Sequence, residues 1–115
     1  MPERNSDLLI EDMRAAIQKI ERYTSGMDQT MFQQDEKTVD AVVRNLEIIG
    51  EAARRIPADF AFRHAEVPWR QVSGLRNRIV HDYFGLDLEI VWQVIRHDLP
   101  QLETRLEDLA RSRPL

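Results

Sequence analysis

Residues 35–57 decide the fold class, and they read DEKTVDAVVRNLEIIGEAARRIP. At about 100° per residue, most of their apolar side chains fall on one arc of a helical wheel, which is typical of a helix that faces a core. This arc consists of Val39, Val42, Val43, Leu46, Ile49, Gly50, Ala53 and Ile56. Asp35 or Thr38 can cap the start of the helix, and Pro57 ends it. The stretch therefore predicts one long core helix.

The same helix is also apolar on its opposite side. Ala41, Ile48 and Ala52 lie there, and a helix that is apolar on two sides is normally buried on both. A chain of 115 residues has few ways to cover the second side by itself. The pattern therefore favours a homodimer.

Helical spacing continues on both sides of this stretch. Before it, a helix is predicted from Ser6, as N-cap, to about Thr24, followed by a turn over 25–30. After it, residues 57–68 form a connector with one helical turn at 58–62. The sequence then predicts a third helix from Pro68-Trp69 to about Phe84.

A fourth apolar pattern begins at Leu88, after Gly85 and Asp87, and runs to Leu109. Pro100 is expected to kink or split this helix near residues 97–99. No strand-like alternation and no linker is found, so the prediction is a single all-α domain, residues 1–115, with four to five helices.

The composition narrows the function classes. With 16 basic and 20 acidic residues, the formal net charge is −4, so no overall positive field attracts nucleic acid. The chain has no cysteine, which excludes disulfides and thiolate chemistry. It also has no apolar run that could span a bilayer and no secretory leader pattern. We expect a soluble cytoplasmic protein without a membrane contact.

The predicted third helix carries the residues most suited to chemistry. A wheel of residues 71–83 places Arg76 in the middle of an apolar arc, where a permanently charged guanidinium needs a partner. Asn77 and His81 are four residues apart and lie together at the edge of that arc. A histidine can move a proton near neutral pH, and an arginine can hold a phosphate with two hydrogen bonds. Together they suit metal-free cleavage of RNA, whose 2′-hydroxyl supplies the nucleophile.

A structural interpretation stays open beside this one. Arg76, Asn77 and His81 can instead belong to a salt-bridge network between helices, with Glu47 or Glu51 as counter-ions.

The local charge pattern supports a phosphate-bearing partner, because six arginines but only two acidic residues lie between Arg54 and His81. A metal site that uses His64 and His97 is less favoured, and no metal and no cofactor is expected.

The segment Arg76-Asn-Arg-Ile-Val-His81-Asp-Tyr83 resembles the signature of HEPN-domain ribonuclease toxins of the HepT type: an arginine, four residues, a histidine, one residue and a tyrosine. Four other segments resemble recurring parts of that family, in the same order, so that the resemblance covers nearly the whole chain. They are Asn45-Leu-Glu-Ile-Ile-Gly-Glu-Ala-Ala53, Val67-Pro-Trp-Arg-Gln-Val-Ser-Gly-Leu-Arg76, Asp87-Leu-Glu-Ile-Val-Trp92 and Asp98-Leu-Pro100.

The resemblance implies an up-and-down HEPN-like bundle that forms a homodimer, with the cleft near the dimer interface and further assembly left open. It also implies a metal-independent endoribonuclease that cleaves tRNA or mRNA and leaves a 2′,3′-cyclic phosphate. By position, Arg76 and His81 are the catalytic pair and Asn77 is the polar residue beside them. Glu47 and Glu51 are expected behind Arg76, from helix geometry alone.

The resemblance further implies a type VII toxin–antitoxin module. Its partner is a minimal nucleotidyltransferase antitoxin, which transfers AMP to Tyr83 and thereby blocks the cleft and occupies Arg76. The alternative is a non-catalytic subunit that binds a nucleotide or the nucleotidyltransferase without cutting RNA.

Overall fold

The 35–57 stretch forms the central helix of the fold in the computed structural model, which describes residues 2–81 and 85–112, with side chains for 5–80 and 85–111. This helix, α3, spans Glu36–Arg55. The Asp35 carboxylate accepts a hydrogen bond from the Thr38 backbone N–H at 3.1 Å, and this contact lowers the pKa of Asp35. Asp35 is therefore the N-cap, as predicted, and Pro57 follows the last turn.

Two helices precede α3. Helix α1 spans Pro2–Thr24, and the short α2 spans Gln29–Gln34 with Asp28 as its N-cap. The prediction of Ser6 as the cap of the first helix is wrong, because Ser6 lies inside α1 and is fully buried. The prediction of a simple turn over 25–30 missed α2, which is too short for a visible apolar period.

The chain after α3 is more broken than the sequence predicts. Helix α4 spans Ala58–Arg63 and confirms the helical turn in the connector. Two short helices follow, α5 at Trp69–Ser73 and α6 at Leu75–Ile79.

The expected third helix to Phe84 is wrong, because the backbone leaves helical geometry at Gly74 and again at Val80. Strand β1, Val80–His81, pairs antiparallel with β2, Gly85–Leu86, so the expectation of no strand is also wrong at this point. Gly85 has a φ of +73°, a conformation that glycine adopts without strain.

The last helical region is continuous but changes its pitch. Helix α7 spans Leu88–Gln93 and is capped by Asp87, a π-helical turn spans Val94–Asp98, and helix α8 spans Leu99–Ser112. The Leu99 N–H bonds to the Val94 carbonyl, one residue further back than in an α-helix. The irregularity expected before Pro100 is therefore present as a wide turn rather than a break.

The core lies between α1, α3 and the α7–α8 region, with α5 and α6 packed on α3. The all-α fold class is confirmed. The largest fully buried side chains of the core are Phe32, Phe60, Ile10, Met13, Ile17, Ile20, Leu46, Ile49, Ile79, Leu99, Leu106 and Leu109. Helices α3 and α5 pack closely at Gly50, where an added Cβ would be in van der Waals contact with the Val72 carbonyl oxygen at 3.4 Å.

The second apolar side of α3 is partly covered within the chain. Ala52 is buried and Ile48 is half-buried in a groove between α1 and α3 that Leu9 also lines. A partner is therefore not required to cover all of this side, and the homodimer stays a prediction. Among residues 2–81 and 85–112, no helix is both long enough and apolar enough to cross a membrane.

A cluster of carboxylates lies where α8 packs on α1. Burial raises the pKa of Glu103 to about 7, and a hydrogen bond from its side chain to Glu21 and the charges of Glu21 and Glu107 act in the same direction. The Arg14 guanidinium opposes them. This interface therefore carries unbalanced negative charge.

Candidate active site

Helix α6 presents three polar side chains to solvent. Leu75 and Ile79 are buried and hold the helix against α3 and α7, while Arg76, Asn77 and Arg78 are exposed. The apolar arc of the sequence prediction thus holds for Leu75 and Ile79. Arg76 itself does not lie in that arc.

The expectation of a buried Arg76 is wrong, because its side chain is 70% exposed. The wheel assumed one continuous helix over residues 71–83, but the break at Gly74 changes the helical phase before Arg76. A guanidinium in this position keeps most of its hydration and can reach a phosphate directly. The exposure fits a substrate-binding arginine better than a buried structural one.

Glu47 of α3 is the carboxylate next to Arg76. Its Oε2 lies 4.0 Å from the Arg76 Nε, and the Glu47 side chain is 44% exposed. An ion pair at this distance and exposure contributes little to stability. A carboxylate at this position biases the direction of the guanidinium, which has further N–H donors for a ligand.

Glu51 does not contribute in the way expected. Its carboxylate contacts Arg54, with 3.4 Å between Oε2 and Nη1, and Arg54 also donates a hydrogen bond from Nη2 to the Ser73 carbonyl oxygen at 3.3 Å. These contacts link α3 to the end of α5, directly before the break at Gly74. No contact between Glu51 and Arg76 is recorded among the described residues.

The remaining predicted site residues follow α6 directly. The His81 backbone lies in β1 opposite Gly85, but the His81 side chain lies outside the described side chains. Tyr83 lies outside the described residues altogether. The structure therefore fixes the position of Arg76 and Asn77 and the path of the chain to His81.

The other two histidines lie in different settings. His64 packs on the Phe60 ring at 4.4 Å between centroids, and its Nδ1 lies 3.8 Å from Glu66. His97 is exposed in the π-helical turn. In the part of the chain with described side chains, no group of three His, Asp or Glu residues could hold a metal ion.

All six arginines between residues 54 and 78 are exposed. The local positive charge predicted from the sequence is therefore at the surface, on α3, α4, α5 and α6. Sequence reasoning missed one contact in this region, the ion pair of Arg78 with Asp98 at 2.6 Å. No local pattern could have indicated it, since the two residues are 20 positions apart.

Comparison with known proteins gives a consistent result. A family model described as "Ribonuclease HepT-like" matches residues 13–109. A protein of Thermococcus cleftensis named "Probable ribonuclease HepT" is 41% identical over 102 residues, which is 89% of this chain and 93% of the relative. No solved structure matches the chain significantly.

Two further relatives carry provisional RNase names. One, from Methanocaldococcus jannaschii, is 32% identical and covers 97% of this chain and 93% of its own length. The other, from Caldanaerobacter subterraneus subsp. tengcongensis, is 38% identical and covers 81% of this chain and 82% of its own length. These matches confirm the resemblance drawn from the five sequence segments.

Proposed function

Because the chain belongs to the HepT-like ribonuclease family, we propose that it is a metal-independent endoribonuclease whose reacting groups are Arg76, His81 and Asn77. The observation that carries this proposal is the solvent-exposed Arg76, held beside Asn77 on α6 and five residues before His81. A phosphate can reach this guanidinium without displacing any packed side chain.

The reaction uses the nucleophile of the RNA itself. His81 removes the proton of the 2′-hydroxyl, and the 2′-oxygen attacks the adjacent phosphorus. The bond from phosphorus to the 5′-oxygen breaks, and as it leaves that oxygen takes up the proton that His81 removed, passed on through water. Arg76 stabilises the extra negative charge of the pentavalent phosphorane. The products are a 2′,3′-cyclic phosphate and a 5′-hydroxyl.

Glu47 acts through Arg76 in this proposal. At 4.0 Å from Nε it orients the guanidinium, whose other N–H donors would bind the phosphate. Asn77 donates hydrogen bonds to a phosphate oxygen or to the imidazole. Glu51 has no role here, since it contacts Arg54.

We propose that two copies pair along α3. The groove between α1 and α3 has the apolar residues Leu9 and Ile48 in its floor and both acidic and basic side chains on its rim, so the same surface can pair with itself around a two-fold axis. Leu8 of α1 is also 62% exposed. Glu47 lines this groove, so the proposed interface would lie next to Arg76.

The proposed biological setting is a type VII toxin–antitoxin module in the cytoplasm. A nucleotidyltransferase antitoxin would transfer AMP from ATP to the Tyr83 hydroxyl and release pyrophosphate. Tyr83 is two residues from His81, so the added phosphate would compete with RNA for Arg76. The support is the sequence resemblance and this spacing.

The test is cleavage of tRNA and total RNA by the purified, unmodified protein in EDTA, with analysis of the product ends. We expect cyclic phosphate ends from the wild type and no cleavage by Arg76→Ala or His81→Ala at unchanged thermal stability. Arg111→Ala removes an equally exposed arginine from α8 and is the matched control. Full cleavage by either site variant would exclude this mechanism.

The alternative, a non-catalytic subunit, predicts another pattern. The folded protein without an adduct on Tyr83 would then bind a nucleotidyltransferase and accept AMP, but it would not cleave RNA. Tyr83→Phe separates the two activities, because it lacks the acceptor hydroxyl and keeps the ring. If the protein is a ribonuclease toxin, the Tyr83→Phe variant would cleave RNA even after incubation with the antitoxin and ATP.

A further inference from the structure

A second recess lies on the other side of α6 from Arg76. It is a groove of about 260 Å³ between α5–α6 and the start of α8. Four buried apolar side chains form its floor, namely Val72, Leu75, Leu99 and Leu102. A groove with an apolar floor and a few polar groups at its edge is typical of a small-molecule or base-binding site.

Two arginines line this groove. Arg78 contacts Asp98 through Nη1 at 2.6 Å, and Arg105 donates a hydrogen bond from Nη1 to the Glu66 carbonyl oxygen, also at 2.6 Å. A guanidinium has five N–H donors, so both contacts leave donors over. The partner of Arg105 is a neutral carbonyl, which does not balance its charge. The groove therefore carries net positive charge beside an apolar floor.

Two exposed glutamines also line the groove, Gln71 from α5 and Gln101 from α8, and Pro68 and the Asp98 carboxylate that pairs with Arg78 complete the lining. Carboxamides both donate and accept hydrogen bonds, which allows them to pair with the edges of nucleobases. An apolar floor fits the face of a base, and an arginine fits its phosphate. The lining as a whole thus matches a nucleotide in both shape and charge.

We propose that this groove binds a nucleotide of the RNA substrate that flanks the cleaved bond. Its base would lie on Leu99 and Leu102, and its phosphate would contact Arg105. The proposal rests on the ribonuclease function, because the ligand is RNA. Arg76 and Arg78 are two positions apart on one helix and so point to opposite sides of α6. A strand that passes around a helix about 10–12 Å wide connects the two sites within a few nucleotides.

The experiment measures binding of a short fluorescein-labelled RNA whose 2′-hydroxyls are all methylated. Such an RNA lacks the nucleophile, so binding is measured without cleavage. Two groove variants are compared by fluorescence anisotropy. Arg105→Gln removes the positive charge, and Gln101→Glu adds a negative charge at an exposed position. The controls are Arg111→Gln on the same helix and Gln18→Glu on α1, which make the same charge changes elsewhere.

We expect each groove variant to weaken binding by about tenfold, and each control by less than about twofold. Binding is also measured between about 50 and about 200 mM salt. Arg105→Gln is expected to make the slope of log K against log salt concentration less steep by about 0.7, the value for one phosphate contact on a single strand. Equal losses in groove and control variants would overturn the proposal, as would RNA binding unaffected by the groove variants.

Cleavage of unmodified RNA by the wild type is measured in parallel. A protein that shows the expected binding pattern but no cleavage would refute the ribonuclease function, and the groove would then be an RNA-binding site with no cleaved bond beside it. If the groove variants cleave RNA as well as the wild type does, the groove proposal is refuted and the ribonuclease function is not. Melting temperatures of the four variants show whether each one is folded.

Discussion

The carboxylates between α1 and α8 predict a stability that falls as the pH rises. Glu103 has an ordinary pKa of 4.5 and a pKa of about 7 in the folded chain. Between these values the folded protein holds a proton that the unfolded chain releases, so raising the pH through this window favours unfolding. Below pH 4.5 Glu103 is protonated in both the folded and the unfolded state. Above about pH 7 it is ionised in both, and the full loss in the free energy of unfolding has been reached.

The size of this penalty follows from the shift. Each pKa unit corresponds to about 1.4 kcal/mol, which sets an upper limit of about 3.4 kcal/mol for Glu103. Because the side chain is partly in contact with water, we expect about 1–2 kcal/mol. Glu103→Gln removes the ionisation, and its amide can still donate a hydrogen bond to Glu21. The variant should therefore be more stable than the wild type above the window.

The assay is urea unfolding followed by far-UV circular dichroism at about pH 5 and about pH 8. At the higher pH we expect Glu103→Gln to gain about 1–2 kcal/mol, or about 4–8 °C in Tm. At the lower pH the gain should be much smaller. Asp40→Asn, which neutralises an exposed carboxylate on α3, is the control. A gain of the same size at both pH values would refute the reasoning, because it would not come from titration.

Two further predictions concern α3. Gly50→Ala should be tolerated or slightly stabilising, because the new Cβ would lie 3.4 Å from the Val72 carbonyl oxygen and alanine favours helix by about 0.5–1 kcal/mol relative to glycine. Gly50→Val, with a larger side chain, should destabilise the α3–α5 contact. Equal Tm values for the two variants would contradict this. Asp35→Ala should lower the Tm near neutral pH and Asp35→Ser much less, because both aspartate and serine cap a helix. The lowered pKa of Asp35 means that this contribution is present at neutral pH and is lost as the pH falls through that pKa, so a Tm difference that persists in strong acid would argue against the cap.

Long periodic segments could be predicted from the sequence, and short ones could not. The 35–57 stretch has enough turns for its apolar arc to fix both the helix and its buried side, and α3 follows it closely. The region after Pro68 contains helices of five residues, which leave no period to detect. Their ends depend on contacts between distant residues, such as the Asp87 N–H to the Ile79 carbonyl at 2.7 Å.

The candidate site shows the same division. The phosphodiester chemistry predicted from the sequence agrees with the ribonuclease family that the comparisons show, while the roles of Arg76, Asn77 and His81 stay predictions. The exposure of Arg76 could not be predicted, because a helical wheel contains no break at Gly74. Glu47 and Glu51 were equivalent by sequence, and only the packing of α3 against α5 and α6 separates them.

The wide turn at Val94–Asp98 has a consequence for how chain length can vary in this region. A π-helical turn accommodates one residue more than an α-helical turn, so the residues before and after it keep the same orientation toward the core. Loss of one exposed residue there would convert the turn to ordinary helix, with Leu102, Leu106 and Leu109 still facing inward. The same loss inside α3 would rotate everything beyond it by about 100°. Single-residue length changes between relatives are therefore far less disruptive at residues 94–98 than in the helix that carries Glu47.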